Sequence, residues 1–162
     1  MNVAIVGCGL IGEKRARNLG RHALVAVADT VVSQAQRVAA FGGSGCRIHQ
    51  DWQSAILQPE VELVIVATPN HLLTPVTLFA LQQRRHVLVE KPAARSAAEL
   101  APVRRLAGET GCRVKVGLNL RYHPAIRKAF QIFDAGELGE PMFIRARYGH
   151  GGRVGYDRER RA

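Results

Sequence analysis

The stretch that most constrains this chain is its beginning. An apolar run, Val3-Ala4-Ile5-Val6, leads directly into Gly7-Cys8-Gly9-Leu10-Ile11-Gly12, and helix-forming residues follow. A strand, a Gly-x-Gly-x-x-Gly turn and a helix start in that order form a dinucleotide-binding fingerprint. Each glycine serves a different purpose. Gly7 makes the tight turn, Gly9 lets the backbone approach a pyrophosphate with no Cβ in the way, and Gly12 lets helix pack closely on strand. Leu10 and Ile11 open the helix, whose first N–H groups and positive dipole end suit phosphate.

The fingerprint requires an acid about twenty residues further on, at the end of the next strand. Ala23-Leu24-Val25-Ala26-Val27-Ala28 reads as that strand, and Asp29 ends it. A carboxylate there accepts both ribose hydroxyls of an adenosine and repels a 2′-phosphate. No Lys or Arg stands at positions 30 to 36 to hold such a phosphate, so NAD is expected over NADP. Asp29 can also cap the helix that follows, and the two roles are compatible.

Alternating apolar runs and helical patterns continue along the chain. Strands are expected near 2 to 6, 23 to 28, 62 to 67, 86 to 90 and 113 to 118, with helices near 11 to 20, 31 to 41, 73 to 83 and 96 to 109. Runs such as Leu63-Val64-Ile65-Val66-Ala67 suit a parallel sheet covered on both faces. The expected fold is α/β, a Rossmann-like doubly wound parallel sheet. Ligands of such sheets bind beyond the carboxyl ends of the strands. Thr68-Pro69-Asn70-His71, Glu90-Lys91-Pro92 and Gly117 to Pro124 occupy that rim.

Composition narrows the function classes. The formal charge is +10, but the basic residues are dispersed, no aromatic residues interleave with them, and no helix-turn-helix or zinc pattern is present, so no nucleic-acid partner is expected. No apolar stretch approaches the roughly 20 residues of a membrane span, and a cytoplasmic location is expected. Cys8, Cys46 and Cys112 lack metal or disulfide spacing and are expected to be free thiols.

Taken together, the glycine fingerprint, Asp29, Thr68-Pro69-Asn70-His71, the phrase His86-Val87-Leu88-Val89-Glu90-Lys91-Pro92, and Asn119 with Arg121 resemble the Gfo/Idh/MocA oxidoreductases. The resemblance runs from residue 2 to about residue 150. It implies an NAD-dependent dehydrogenase of sugars, inositols or related polyols, with hydride moving between nicotinamide and a carbinol or carbonyl. It implies Lys91 as the catalytic residue, orienting substrate and helping to move its proton. Glu90 is implied at the nicotinamide riboside, Pro92 as the fixed turn beside it, and Thr68, Pro69, Asn70, His71, Asn119 and Arg121 along the cofactor channel.

Two positions depart from the family pattern. Leu73 stands where a second histidine is frequent, and Arg84 stands where a glycine usually ends the helix before the strand at 86, which predicts a non-glycine residue in a left-handed turn. Measured against the family's two-domain plan, the expectation is a nucleotide-binding domain over residues 1 to 120, with residues 121 to 162 as the remnant of a truncated α+β substrate domain. In that remnant, residues 124 to 134 are expected as a connecting helix, 136 to 141 as a turn, and Met142 to Tyr148 as a first strand whose apolar face lacks its sheet. Such a strand favours a homo-oligomer. His150, among glycines, is not expected to be catalytic. A non-catalytic NAD-binding or oligomerising module is the alternative reading.

Overall fold

The computed structural model describes residues 1–147 and 149. The chain divides into two compact units, the first Met1–Gly117 and the second beginning at Leu118.

In the first unit, six strands form one parallel sheet: β1 (Asn2–Val6), β2 (Ala23–Ala28), β3 (Arg47–His49), β4 (Leu63–Val66), β5 (His86–Val89) and β6 (Val114–Val116). Their spatial order is β3-β2-β1-β4-β5-β6. The chain therefore builds outward from β1 to one edge and then crosses to β4 on the other side. The reversal between β1 and β4 is the switch point of a doubly wound sheet. Ile5 is paired with Val27 on one side and Ile65 on the other.

Side chains alternate across each strand. On one face, Ala4, Val6, Val64, Val66, Val87 and Val89 pack with Ile56, Leu73, Val76, Leu81 and Val103. On the other, Val3, Ile5, Val27 and Ile65 pack with Ala16, Ala35 and Val38. The helices that supply these partners are α1 (Leu10–Arg17), α2 (Val32–Ala39), α3 (Trp52–Ile56), α4 (Asn70–Gln82) and α5 (Ala97–Thr110). Leu73 is fully buried on the inner side of α4, where an imidazole would need a hydrogen-bond partner inside an apolar core.

Several expectations are met closely, including the capping of α5. Its Ser96 side chain accepts from the Glu99 N–H, and Gly111 ends it in the left-handed conformation. Arg84 has φ +56, as the missing glycine predicts. Its N–H donates to Leu81 O at 2.9 Å and that of Arg85 to Ala80 O at 2.9 Å, the two bonds of a Schellman helix end. The Lys91–Pro92 peptide is cis. All three cysteines are free, Cys8 and Cys112 buried and Cys46 half-buried. Among the described residues, no helix is long and apolar enough to cross a membrane.

Other elements differ. Strand β3 and helix α3 are additions, and α4 begins at Asn70, not 73. In the second unit, α6 (Pro124–Asp134) forms as expected, with Pro124 in its first turn and the His123 side chain accepting the Ala125 N–H. Residues 142–147 form no strand, because no neighbouring strand among the described residues meets their backbone groups. Met142, Phe143 and Ile144 are 94%, 82% and 89% exposed. Tyr148, as the end of the expected strand, and His150 lie outside the described residues.

Candidate functional site

A cavity of about 390 Å³ opens at the carboxyl end of the sheet, at the switch point. Its wall comes from the ends of three strands: Val6, Gly7 and Gly9 after β1, Ala28, Asp29 and Thr30 after β2, and Ala67, Thr68 and Pro69 after β4. Gln34, Gln50, Trp52 and Leu72 complete it.

The three glycines of the first turn differ in why they must be glycine. Gly7 has φ +90, and a Cβ there would stand 2.5 Å from the Ala67 carbonyl oxygen. A Cβ on Gly12 would stand 1.9 Å from the Gly7 carbonyl oxygen. Both are therefore demanded by the fold itself. Gly9 is not: its backbone is at φ −69, and a Cβ would meet only Gln34 Oε1, at an ordinary 3.7 Å. Gly9 is the N-cap of α1 and contributes no side-chain bond to the first-turn N–H groups. Gly9 lines the cavity, and the amides of Leu10 and Ile11, which have no intrahelical acceptor, belong to that helix start.

Asp29 joins two parts of the site. Its Oδ2 accepts the Cys8 N–H at 2.7 Å, and its Oδ1 accepts the Val31 N–H at 2.8 Å. The carboxylate thus braces the glycine turn from β2 while it lines the cavity. The first basic residue after it, Arg37, donates from Nε to Glu13 at 3.0 Å. Glu13 also receives Arg17 Nη2 at 2.6 Å. Hydrogen bonding from Arg17 first, and then from Arg37, holds the Glu13 carboxyl below the usual range. The first cation after the acid is thereby already matched.

On the opposite wall, Trp52 stands edge-on to Phe79 of α4, ring centres 5.2 Å apart. Asp51 places it by capping α3, accepting the Ser54 N–H at 2.7 Å. Thr68 Oγ1 is buried without a hydrogen-bond partner among the described residues. Cys8, within the glycine turn, is fully buried, and its thiol is pushed up to about 12, mainly by that burial and then by the Asp29 charge. It is not a nucleophile.

The residues singled out in the sequence thus separate into groups. Gly7, Gly9, Asp29, Thr68 and Pro69 converge on the cavity, and Gly12 packs beneath it. Leu10 and Ile11 form the exposed first turn of α1, and Asn70 and His71 the exposed first turn of α4. Glu90 and Lys91 follow β5 outside the cavity lining, Lys91 exposed and Glu90 engaged with Arg15. Asn119 and Arg121 belong to the second unit, in its opening 3-10 turn Asn119–Tyr122. Gln34, Gln50 and Trp52 were not anticipated. Asp51 three residues before Ser54 is the sequence signal that would have marked the start of α3, and with it Trp52.

The profile of the oxidoreductase family with an NAD-binding Rossmann fold, Gfo/Idh/MocA, matches residues 1–118. Inositol 2-dehydrogenase of Mycolicibacterium smegmatis is 35% identical over 149 residues, which cover 89% of this chain and 43% of the relative. Among solved structures, an NAD-binding oxidoreductase from Klebsiella pneumoniae is 30% identical, with a TM-score of 0.76, covering 87% of this chain and 40% of that one. A scyllo-inositol dehydrogenase from Lactobacillus casei, solved with NAD(H) and scyllo-inositol, has a TM-score of 0.80 at 20% identity, covering 86% and 42%, and attests the fold. The chain spans less than half the length of these relatives. The strand order, the cavity at its switch point and the match over residues 1–118 make the chain a member of the Gfo/Idh/MocA oxidoreductase family.

Proposed function

We propose that this chain binds NAD through its first unit and serves as the nucleotide-binding part of a dehydrogenase of inositols, sugars or related polyols. One observation carries the proposal: Gly9 is a glycine that the protein's own packing does not need. A Cβ at Gly9 would meet only the Gln34 side chain, at ordinary contact distance, so the protein tolerates it, yet it would stand in front of the helix start where a pyrophosphate would need the room. The unpartnered Thr68 Oγ1 in the cavity wall agrees with a polar ligand.

In this reading Gly7, Gly9, Leu10, Ile11 and Gly12 hold the pyrophosphate, and Asp29 accepts the adenosine ribose hydroxyls on the lone pairs that Cys8 and Val31 leave free. Trp52, with Gln34 and Gln50, forms the adenosine wall. Thr68, Pro69, Asn70 and His71 line the remainder of the channel, and Glu90 acts beside Lys91 at its nicotinamide end. Lys91 orients the substrate and helps move its hydroxyl proton. Bound NAD would supply the hydride acceptor, a chemistry that no side chain of the chain offers. The names of the relatives, inositol 2-dehydrogenases among them, support the polyol class. Cytoplasmic location and homo-oligomeric assembly belong to the same proposal, the latter supported by the exposed Met142, Phe143 and Ile144.

Titration calorimetry of the chain with NAD and NADP tests the core of it. The expected result is NAD binding at least about tenfold tighter than NADP, the equivalent of about 1.4 kcal/mol. Absence of NAD binding would remove the proposal, and equal affinities would remove the role given to Asp29.

A further inference from the structure

At the end of β5, away from the cavity lining, Arg15, Glu90 and Gly117 meet in an arrangement that a cofactor contact by Glu90 alone does not require. Arg15, in the second turn of α1, donates from Nε to Glu90 Oε1 at 2.6 Å, and its Nη2 reaches the same oxygen. The two side chains are 27% and 12% exposed. Gly117, just after β6, leaves the room they occupy: a Cβ there would stand 2.8 Å from Arg15 Nη2 and 3.0 Å from each Glu90 carboxylate oxygen. An ordinary surface ion pair contributes little and needs no such accommodation. A largely buried carboxylate is costly when its partner is removed, so this pair fixes geometry.

What it fixes is the turn that carries Lys91. The Glu90 N–H donates to Val66 O at 2.9 Å, and the Glu90 carbonyl accepts the Ala93 N–H at 2.9 Å, closing a turn with Lys91 at its second position. Gly117 N–H donates to Val89 O at 2.8 Å, locking the neighbouring strand end. Glu90 is thus held through its backbone by β4 and the Lys91 turn, and through its side chain by α1. That helix begins at the glycine turn.

We propose that Arg15 and Glu90 are positioning residues, a pair that sets the Lys91 turn at a fixed place relative to the glycine turn and so governs the nicotinamide half of the cofactor site, but not the adenosine half. The inference rests on the NAD reading, and ADP-ribose, which lacks only the nicotinamide, separates the two. Binding of NAD and of ADP-ribose is measured for the unaltered chain, Arg15→Met, the isosteric Glu90→Gln, and Gly117→Ala, which keeps both charges but crowds them. Each variant is expected to lose about tenfold in NAD affinity. ADP-ribose affinity is expected to stay within about twofold, which also shows that the fold is intact. Arg15→Met combined with Glu90→Gln is expected to cost no more than either alone, because both single changes break one unit. Parallel losses of both ligands would make the pair a general support of the fold and overturn the proposal, as would unchanged affinities in all variants. An unaltered chain that bound neither ligand would strike the NAD reading itself.

Discussion

The Asp29 carboxylate and the Cys8 backbone N–H are hydrogen-bonded at 2.7 Å, so the acid that ends β2 also holds the middle of the glycine turn. The proposed ribose selection and the observed geometry of the glycine turn thus rest on the same side chain. Asp29→Ala is expected to cost about 1–2 kcal/mol of fold stability by leaving the Cys8 and Val31 N–H groups without their acceptor. The same change should bring NAD and NADP affinities to near parity. Denaturant titration and calorimetry read the two effects, and a preference for NAD that survived the substitution would relocate cofactor selection to another residue.

Gly9 and Gly12 should respond in opposite ways to alanine. Gly9→Ala fits the protein, so stability should change by less than about 1 kcal/mol while NAD affinity falls at least about tenfold. Gly12→Ala drives a methyl into the Gly7 carbonyl and should destabilise by about 3 kcal/mol or more, despite alanine's better helix propensity. Thermal melts beside NAD titrations distinguish them. Normal NAD binding by the Gly9 variant would leave that glycine without a functional reason.

Arg84 occupies the left-handed position at the end of α4, where a Cβ is unfavourable by about 1–2 kcal/mol. Part of that strain returns on substitution, less the entropy that glycine gains in the unfolded chain. Arg84→Gly should therefore stabilise the chain by about 0.5–1 kcal/mol, read from the denaturation midpoint at unchanged slope. A destabilised variant would show that the Arg84 side chain contributes more than its backbone loses.

The Cys8 thiol ionises near 12 in the folded chain, pushed up from an ordinary 9.0 by burial and then by Asp29. Its folded value lies above its unfolded one, so the unfolded state releases its proton first as pH rises. The associated stability is complete below pH 9 and is lost progressively toward pH 12. Unfolding measured at about pH 8 and about pH 10.5 should show a decline that Cys8→Ala reduces, and native Cys8 should resist thiol reagents at neutral pH. Rapid labelling of Cys8 in the native chain would contradict its burial.

Sequence patterning revealed what hydrophobic spacing and glycine chemistry control. Strands β1, β2, β4 and β5 are continuous apolar runs, and each lies within a residue or two of its expected span. Helix α6 covers the residues that the family's two-domain plan implied, and Pro124 in its first turn suits a helix start. Strand β3 escaped because Arg47-Ile48-His49 is a short, partly exposed edge with no apolar run to mark it. Helix α3 is little more than one turn, too short for periodicity to register. The site shows the same divide. Gly7, Gly9 and Asp29 are local signals, whereas Gln34 reaches the cavity from α2, and Gln50 and Trp52 reach it because β3 lies beside β2. The Arg15–Glu90 pair spans 75 residues of sequence, and no local pattern announces such a partner.

Trp52 is the only tryptophan in the chain, and it stands in the cavity wall with its ring braced against Phe79. The protein consequently carries a single indole fluorophore at the place where the adenosine is proposed to lie. Its emission reports polarity and quenching at that wall with no other indole contributing background. A ligand entering there should alter the signal directly, and a reduced nicotinamide nearby should accept its excitation energy. Occupancy can therefore be followed optically on the unlabelled chain, from either end of the cofactor.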